Sequence, residues 1–296
     1  MDEEKKGLRK PAWLLKKVRY SEEKHEVKSI LDRLGLHTVC ESARCPNLSE
    51  CFHKRRATFL ILGNRCTRSC TFCSVEKAPR GVNLPVDEQE PERIVEAAKS
   101  LGLKYVVITS VTRDDLEDGG ATQFARTVEL LKGWDRSVRV EVLTPDFRGD
   151  TGSIDVVAKS RPDVFNHNVE TVPRLYPYIR PQADYKRSIA FIDYLHRSYP
   201  GIFLKSGLMV GLGEQKFEVI EVLRDLRDAG CDAVTIGHYI QPCHRNVPIR
   251  EFVPPEVFAW YGEEAKALGF RYVASGPFVR SSYMADEGYR TLSEGQ

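Results

Sequence analysis

Six of the eight cysteines stand between residues 40 and 73, in two groups of three. The second group reads Cys66-Thr67-Arg68-Ser69-Cys70-Thr71-Phe72-Cys73, a C-x3-C-x2-C spacing with an aromatic before the last Cys. Three thiols cannot all pair as disulfides. Nor do three complete a structural zinc site, which takes four protein ligands. A cubane [4Fe–4S] cluster has four irons and normally takes four thiolates. Held by three, it leaves one iron open to a small molecule. A ferredoxin-type site or a zinc knuckle is the blander use of the same residues.

Upstream, Cys40-Glu41-Ser42-Ala43-Arg44-Cys45-Pro46-Asn47-Leu48-Ser49-Glu50-Cys51 is C-x4-C-x5-C. Taken alone it fits iron–sulfur or zinc about equally, with His37, His53, Cys231 or Cys243 as a remote fourth zinc ligand. Near the C-terminus stands Arg280-Ser281-Ser282-Tyr283, which by itself is a polar loop.

The octapeptide resembles the cluster motif of radical S-adenosylmethionine (SAM) enzymes. With the upstream triplet and the R-S-S-Y stretch, the chain resembles lipoyl synthases from about Lys10 to Tyr283. Other family-like stretches are Thr109-Ser110-Val111-Thr112-Arg113-Asp114-Asp115-Leu116, Gly207-Leu208-Met209-Val210-Gly211-Leu212-Gly213-Glu214 and Ala274-Ser275-Gly276-Pro277. Departures are His238 for an expected Gln, Cys243 for an expected Ser and Met284 where His is common. None falls on an expected ligand. A biotin synthase or a methylthiotransferase fits the upstream spacing and R-S-S-Y less well. An electron carrier would need no cofactor lumen, and a zinc protein would be colourless.

The resemblance implies that Cys66, Cys70 and Cys73 hold a [4Fe–4S] cluster whose open iron chelates SAM. It implies that Cys40, Cys45 and Cys51 hold an auxiliary [4Fe–4S] cluster, with Ser282 as an oxygen ligand. An alkoxide is harder and more replaceable than a thiolate, which suits a cluster meant to be dismantled. Arg280, two residues from that serine, is expected to gate it. The implied reaction inserts two sulfurs, at C6 and C8, into an octanoyl chain amide-linked to a lysine of a carrier domain. Two SAM molecules are cleaved and the auxiliary cluster is consumed. Implied partners are the lipoyl domains of 2-oxoacid dehydrogenase E2 subunits, the glycine cleavage H protein, a ferredoxin or flavodoxin donor, and an iron–sulfur carrier for rebuilding. For SAM itself, Phe72 is expected beside the adenine. Asn168, Glu170 and Arg180 are expected at ribose and carboxylate, Thr109 and Ser110 at the amine, and Met209 with Gly211 where backbone nears the adenine.

These residues must be carried by regular elements. Short apolar runs at Thr58–Leu62, Tyr105–Thr109, Val138–Leu143, Val164–Val169, Phe203–Val210 and Ala233–Gly237 read as strands. Amphipathic stretches at Pro91–Leu101, Ala121–Lys132, Ile154–Ser160, Tyr185–Ser198, Phe217–Ala229 and Pro255–Leu268 alternate with them. Such alternation implies a parallel sheet, and the resemblance makes it a TIM-like partial (β/α)6 barrel. Residues 1–56 are read as an N-terminal extension with a helix near Ser21–Leu34, residues 57–270 as the barrel, and residues 271–296 as a C-terminal extension. Arg139 and Glu141 share a lumen face, as do Asn166, Asn168 and Glu170, and Lys205, Gly207, Met209 and Gly211. That polarity favours a ligand cavity, unless these side chains pair with one another.

At 296 residues, 42% hydrophobic and 29% charged, the chain reads as an ordinary globular α/β protein. No apolar run approaches the roughly 20 residues of a membrane span. Net charge is +2, without the signature of a nucleic-acid binder. The opening residues 1–6 have neither signal nor transit character, so a reducing cytoplasm is expected, as thiolate clusters require. Residues 1–56 carry 14 Lys+Arg against 9 Asp+Glu, a solvated extension or a dock for an acidic partner. Cys231 and Cys243 read as buried or loop thiols.

Overall fold

Seven strands run parallel and in chain order through the sheet of the computed structural model. They are β1 (Thr58–Ile61), β2 (Tyr105–Ser110), β3 (Arg139–Leu143), β4 (Val164–Asn166), β5 (Phe203–Val210), β6 (Ala233–His238) and β7 (Tyr272–Gly276). The structure describes residues 9–16, 21–79, 81 and 84–294. Residues 1–6, read above for a leader, lie outside that range, as do parts of the basic 1–56 stretch. His37–Thr38 adds an antiparallel edge against β1. In the described residues β7 does not return to pair with β1, so the sheet is the open, partial barrel expected.

Helices alternate with the strands: α3 (Glu90–Ser100), α4 (Ala121–Trp134), α5 (Thr151–Lys159), α6 (Tyr185–Ser198), α7 (Lys216–Asp228) and α8 (Pro255–Ala267). Before the barrel come α1 (Glu22–Arg33), a single turn at Val39–Ser42 that carries Cys40, and α2 (Leu48–His53), and α9 (Ala285–Glu294) follows it. Local signals set the ends. Ser21 caps α1 through Lys24 N at 3.2 Å, and Gln215 with Glu218 forms a capping box on α7. The helices cover a face built of Ile108, Val140, Val142, Phe165, Val210 and Ile236, all buried. Each such side chain contributes roughly 1.5–3 kcal/mol on leaving water.

All six expected strands form, β5 at its expected bounds, β1, β2, β3 and β6 within one residue of theirs and β4 shorter, with one addition. β3 begins one residue later than Val138, and β4 ends at Asn166 rather than Val169. The backbone there leaves the sheet so that Glu170, at φ 65°, rejoins β5 by an isolated bridge to Leu208. The addition, β7, lies within the stretch read as a C-terminal extension.

The polar lumen divides into floor and chamber. In the floor, Lys205 Nζ stands 2.9 and 3.2 Å from the Glu141 carboxylate oxygens. Tyr105 OH and Asn166 Nδ2 donate to the same carboxylate at 2.7 and 3.1 Å. Lys205 and Glu141 therefore neutralise each other in a buried pair, and their role is to plug the barrel. Beneath them α9 covers the starts of β4, β5 and β6, with Leu292 packed among Val164, Phe203 and Ala233. Arg139, expected in the lumen, is exposed and pairs with Asp163 at 3.1 Å.

Just past β4, on the side packed by α6, His167 is buried between Thr144 O and Ser188 Oγ, each 3.0 Å away. Burial foremost, then the Arg180 charge, pushes this imidazole down to about 4. The folded state thus keeps His167 neutral where the unfolded chain would protonate it, below about pH 6.5. This contribution is complete above that pH and declines toward pH 4 by up to about 1.4 kcal/mol per unit. Urea midpoints should fall between about pH 6.5 and 4. His167→Gln should flatten that slope, and an unchanged slope would rule out this group as its source.

Candidate functional site

The C-terminal ends of the barrel strands open into a cavity of about 320 Å³. The loop after β1 brings Cys66, Cys70, Phe72 and Cys73 to its wall, and β2 brings Thr109 and Ser110. Asn168, Glu170 and Arg180 arrive from the segment after β4, and Gly207 with Met209 from β5. Cys40, Cys45, Arg280, Ser281 and Ser282, from the two ends of the chain, complete it. The backbone thus gathers five of the six clustered cysteines and nearly every expected cofactor contact around one space.

Gly211 is the exception and lies outside this lining. Its φ is +102°, and a Cβ there would stand 2.8 Å from His238 and 2.9 Å from Glu251 O. Its smallness serves a turn rather than an approach to the chamber. Gly207 is the glycine that the chamber requires: a Cβ would meet Thr235 Oγ1 at 2.4 Å, Ser281 Oγ at 2.9 Å and Asn168 Oδ1 at 3.0 Å.

The three-cysteine loop is held from four sides. Arg68, only 4% exposed, forks onto Asp114 at 2.7 and 2.9 Å and reaches Asp146 at 2.6 Å. Thr67 N donates to Thr112 O at 3.0 Å, and Thr71 N donates to Ile179 O at 3.0 Å. Asn246 Nδ2 donates to both Thr71 O and Cys73 O at 3.1 Å. A loop fixed this firmly can present thiolates to a cluster in one geometry.

The auxiliary donors are held between the chain ends. Cys45 N donates to Cys40 O at 3.0 Å, and Asn47 Nδ2 donates to Phe278 O at 2.7 Å. Tyr283 OH donates to Glu50 at 2.9 Å, and Arg56 pairs with Asp286 at 2.7 Å. Ser281 Oγ donates to Asn168 Oδ1 at 2.9 Å, tying the R-S-S-Y loop to the barrel mouth. Cys51 is not in this cavity wall. It faces a second cavity, of about 630 Å³, that also touches Tyr105 and Arg139 at the opposite ends of the strands.

The electrostatics suit a charged ligand. Burial pushes Cys40 up to about 12, and Cys51 and Cys73 to about 11, while Cys70 is also raised. Iron ligation must therefore displace protons that burial holds on these thiols. Glu170 is raised by burial against the pull of Arg180, Asn168 and Arg280, and its positive φ stores strain of about 1–3 kcal/mol at the chamber wall. Arg180 Nη1 donates to Asn168 O and Val169 O at 3.0 and 3.1 Å. Thr109 Oγ1 donates to Leu143 O at 2.9 Å. Ser110 Oγ, Thr144 Oγ1 and Arg180 Nε are buried without partners. These orphans on lining residues are what a polar cofactor would satisfy. Among the described residues, no three His, Cys, Asp or Glu side chains are grouped as a single-ion site. A cubane instead takes one thiolate per iron, and two sulfur triplets, the upstream one with the Ser282 hydroxyl in the same cavity wall, fit that donor chemistry.

Comparison with known proteins bears on the same residues. The family description "Radical SAM superfamily" matches residues 60–226. The lipoyl synthase of Caldanaerobacter subterraneus subsp. tengcongensis is 55% identical over 282 residues, covering 95% of this chain and 97% of that one. This chain belongs to the lipoyl synthase family. The lipoyl synthase of Caldicellulosiruptor saccharolyticus is 53% identical over 279 residues, covering 94% of this chain and 97% of its own. A crystal structure of HydG, a maturase of the [FeFe]-hydrogenase, superposes with TM-score 0.51 at 16% identity, covering 93% of this chain and 75% of that one. That likeness concerns the fold alone. As a radical SAM enzyme of the lipoyl synthase family, the chain uses SAM and two [4Fe–4S] clusters.

Four contacts had no reading in the sequence. Arg68 stood in view between two cluster cysteines, but nothing there named Asp114 and Asp146 as its anchors. Asn246, Thr144 and Ser281 likewise gain their places only from the fold.

Proposed function

We propose that this chain builds the lipoyl group by inserting two sulfur atoms, at C6 and C8, into an octanoyl chain carried on a lysine. The observation that supports it most is one cavity walled by Cys66, Cys70 and Cys73 together with Cys40, Cys45 and Ser282. We assign Cys66, Cys70 and Cys73 to the SAM cluster, and Cys40, Cys45, Cys51 and Ser282 to the auxiliary one. The auxiliary cluster gives up its sulfur and counts as a substrate. When bound, the SAM cluster with SAM supplies the one-electron chemistry that removes hydrogen from a methylene, which has no acidic proton for a base to take.

The chain's own residues bind, orient and keep dry. Phe72 and Met209 offer apolar surface to the adenine. Glu170 accepts from ribose hydroxyls, Asn168 steadies Glu170 at 3.1 Å, and Ser110 accepts from the SAM amine. Arg180 supplies positive charge toward the SAM carboxylate. Arg280 stands in the walls of both cavities and gates access to Ser282. A sulfur source within the same enclosed space captures each carbon radical before water or solvent thiols can.

The division into residues 1–56, 57–270 and 271–296 assigns the auxiliary donors to the two outer segments and SAM to the barrel. Octanoylated domains of 2-oxoacid dehydrogenase E2 subunits and the glycine cleavage H protein are the proposed carriers, and a ferredoxin or flavodoxin the proposed donor. No helix among the described residues is long and apolar enough to cross a membrane, and a reducing cytoplasm is the compartment we propose. The test is anaerobic incubation of the holoenzyme with SAM, a low-potential reductant and an octanoyl-lysyl peptide, read by mass spectrometry. A product two sulfurs heavier supports the reading. SAM cleavage with an unchanged peptide refutes the substrate.

A further inference from the structure

We propose that the second cavity is a loading port, through which a thiolate-ligated [4Fe–4S] species reaches the auxiliary donors from the barrel end opposite the SAM chamber. The inference rests on the reading above that the auxiliary cluster is spent and must be replaced.

The geometry points there first. Cys40, Cys45, Cys51 and Ser282 all stand in the wall of the 630 Å³ cavity. The SAM chamber reaches Cys40, Cys45 and Ser282 but not Cys51. The complete donor set is therefore presented only from below. A cluster arriving through the chamber would also pass Cys66, Cys70 and Cys73, three competing thiols, in a space half as large. The lower cavity avoids that competition. Its volume lies in the range of small-ligand sites.

Charge gives the second argument. Of the side chains around the lower cavity, seven are Lys or Arg and one, Asp286, is acidic. Several of the cations are balanced from outside the wall: Arg55 by Glu26 at 2.6 Å, Lys104 by Asp135 at 2.9 Å and Arg139 by Asp163 at 3.1 Å. Lys54 pairs with Glu50 at 3.5 Å, and Arg56 and Arg290 share Asp286 at 2.7 and 3.7 Å. Arg280, with Nη1 on Val279 O at 2.6 Å, stands in the wall between the two cavities. A [4Fe–4S]2+ core with four thiolates carries charge 2−, the sign this wall attracts.

The step is ligand exchange without redox change. Three Fe–SR bonds give way to Fe–S bonds from the cysteines and the fourth to an Fe–O bond from Ser282. The three thiol protons and the hydroxyl proton leave on the departing thiolates, so four neutral thiols depart and the core keeps its charge.

Lys104 and Arg290 sit at the cavity with side chains 71% and 64% exposed, so reversing them leaves the core untouched. The experiment uses the full chain carrying Cys66→Ala, Cys70→Ala and Cys73→Ala, which keeps only the auxiliary donors. It follows, by visible absorbance, uptake from the [4Fe–4S] complex of 2-mercaptoethanol. Lys104→Glu with Arg290→Glu should slow uptake about tenfold at low salt, and the difference should shrink as salt rises. Loading from ferrous iron and sulfide should slow less, because the iron arrives as a cation. In the mirror chain with Cys40→Ala, Cys45→Ala and Cys51→Ala, the same reversals should leave loading of the SAM cluster unchanged. Equal uptake with and without the reversals, or equal slowing in both chains, would overturn the port. Each single reversal should give about half the logarithmic effect, which separates steering from a folding defect. A preloaded wild-type chain that transfers no sulfur refutes the functional reading instead, since loading kinetics do not depend on turnover.

Discussion

Cys70→Ala should abolish both formation of 5′-deoxyadenosine and sulfur transfer, whereas Cys45→Ala should keep the first and abolish only the second. The two thiols line one cavity but belong to different loops, one held by Arg68 and Asn246, the other by the chain ends. In Cys70→Ala, losing one of three thiolates leaves a cubane with two irons unligated by protein, too few ligands to hold SAM and survive. In Cys45→Ala the auxiliary cluster loses one of its three thiolates and keeps only two beside the weaker Ser282 oxygen. Activity in each assay should fall to background, because the missing chemistry belongs to the cofactor and no side chain can replace it. Mass spectrometry of nucleoside and peptide from the same reaction checks both halves. If Cys45→Ala also stopped SAM cleavage, the assignment of separate clusters would fail. Iron content should drop by about half in each variant, as expected if each triplet holds one of two equal clusters.

The other large effect is expected at Arg68. Asp146 has no exposed side-chain surface, and Arg68 is its buried partner at 2.6 Å. Stripping one member from such a pair costs about 3–5 kcal/mol. Here the lower end applies, because Arg187 still reaches Asp146 at 3.2 Å and Asp114 is 27% exposed and can hydrate. Burial raises the Asp146 carboxyl, but hydrogen bonding and charge from Arg68 outweigh it and hold the group near 2. A depressed carboxylate contributes stability above the ordinary pKa of about 3.9 and loses it as pH falls toward 2. Arg68→Ala should therefore lower the urea midpoint at neutral pH and move acid unfolding to higher pH. Arg68→Lys keeps the charge but cannot fork across two carboxylates, so it should fall between. The cluster readout is specific: iron at the SAM site should be lost first, since the anchored loop carries Cys66, Cys70 and Cys73. Loss of auxiliary iron instead would show that Arg68 supports the fold in general.

The parts of this molecule that follow from local pattern were legible in its sequence. All six strand–helix units of the barrel appear where apolar runs alternate with amphipathic ones, and the helix expected near Ser21–Leu34 forms at Glu22–Arg33. β7 was not read, because Tyr272-Val273-Ala274-Ser275-Gly276 is short and leads into a Gly-Pro turn. Period-2 alternation located the lumen face but could not say which of its polar residues pair. Glu141 and Lys205 stand 64 residues apart, and only the register of β3, β4 and β5 brings them together. The same limit hid Arg68–Asp146 and Asn246–Cys73. A motif gives residue types at short range, whereas the partner that fixes a motif comes from a distant strand end.

The bonds that join Asn47 to Phe278, Glu50 to Tyr283 and Arg56 to Asp286 each span at least 230 residues. The loop carrying Cys66–Cys73 takes its nearest anchors, Thr112 and Asp114, less than 50 residues downstream. Synthesis proceeds from the N-terminus, so the two sites mature at different times. The anchors of the SAM-cluster loop begin to assemble while the rest of the barrel is still being made. The auxiliary pocket is incomplete until the last strand and helix have been added, because Arg280, Ser282, Tyr283 and Asp286 of its wall are not yet there. Cys40, Cys45 and Cys51 therefore spend nearly the whole of synthesis as unshielded thiols. Any cell making this protein has to protect them from oxidation until the two ends of the chain meet.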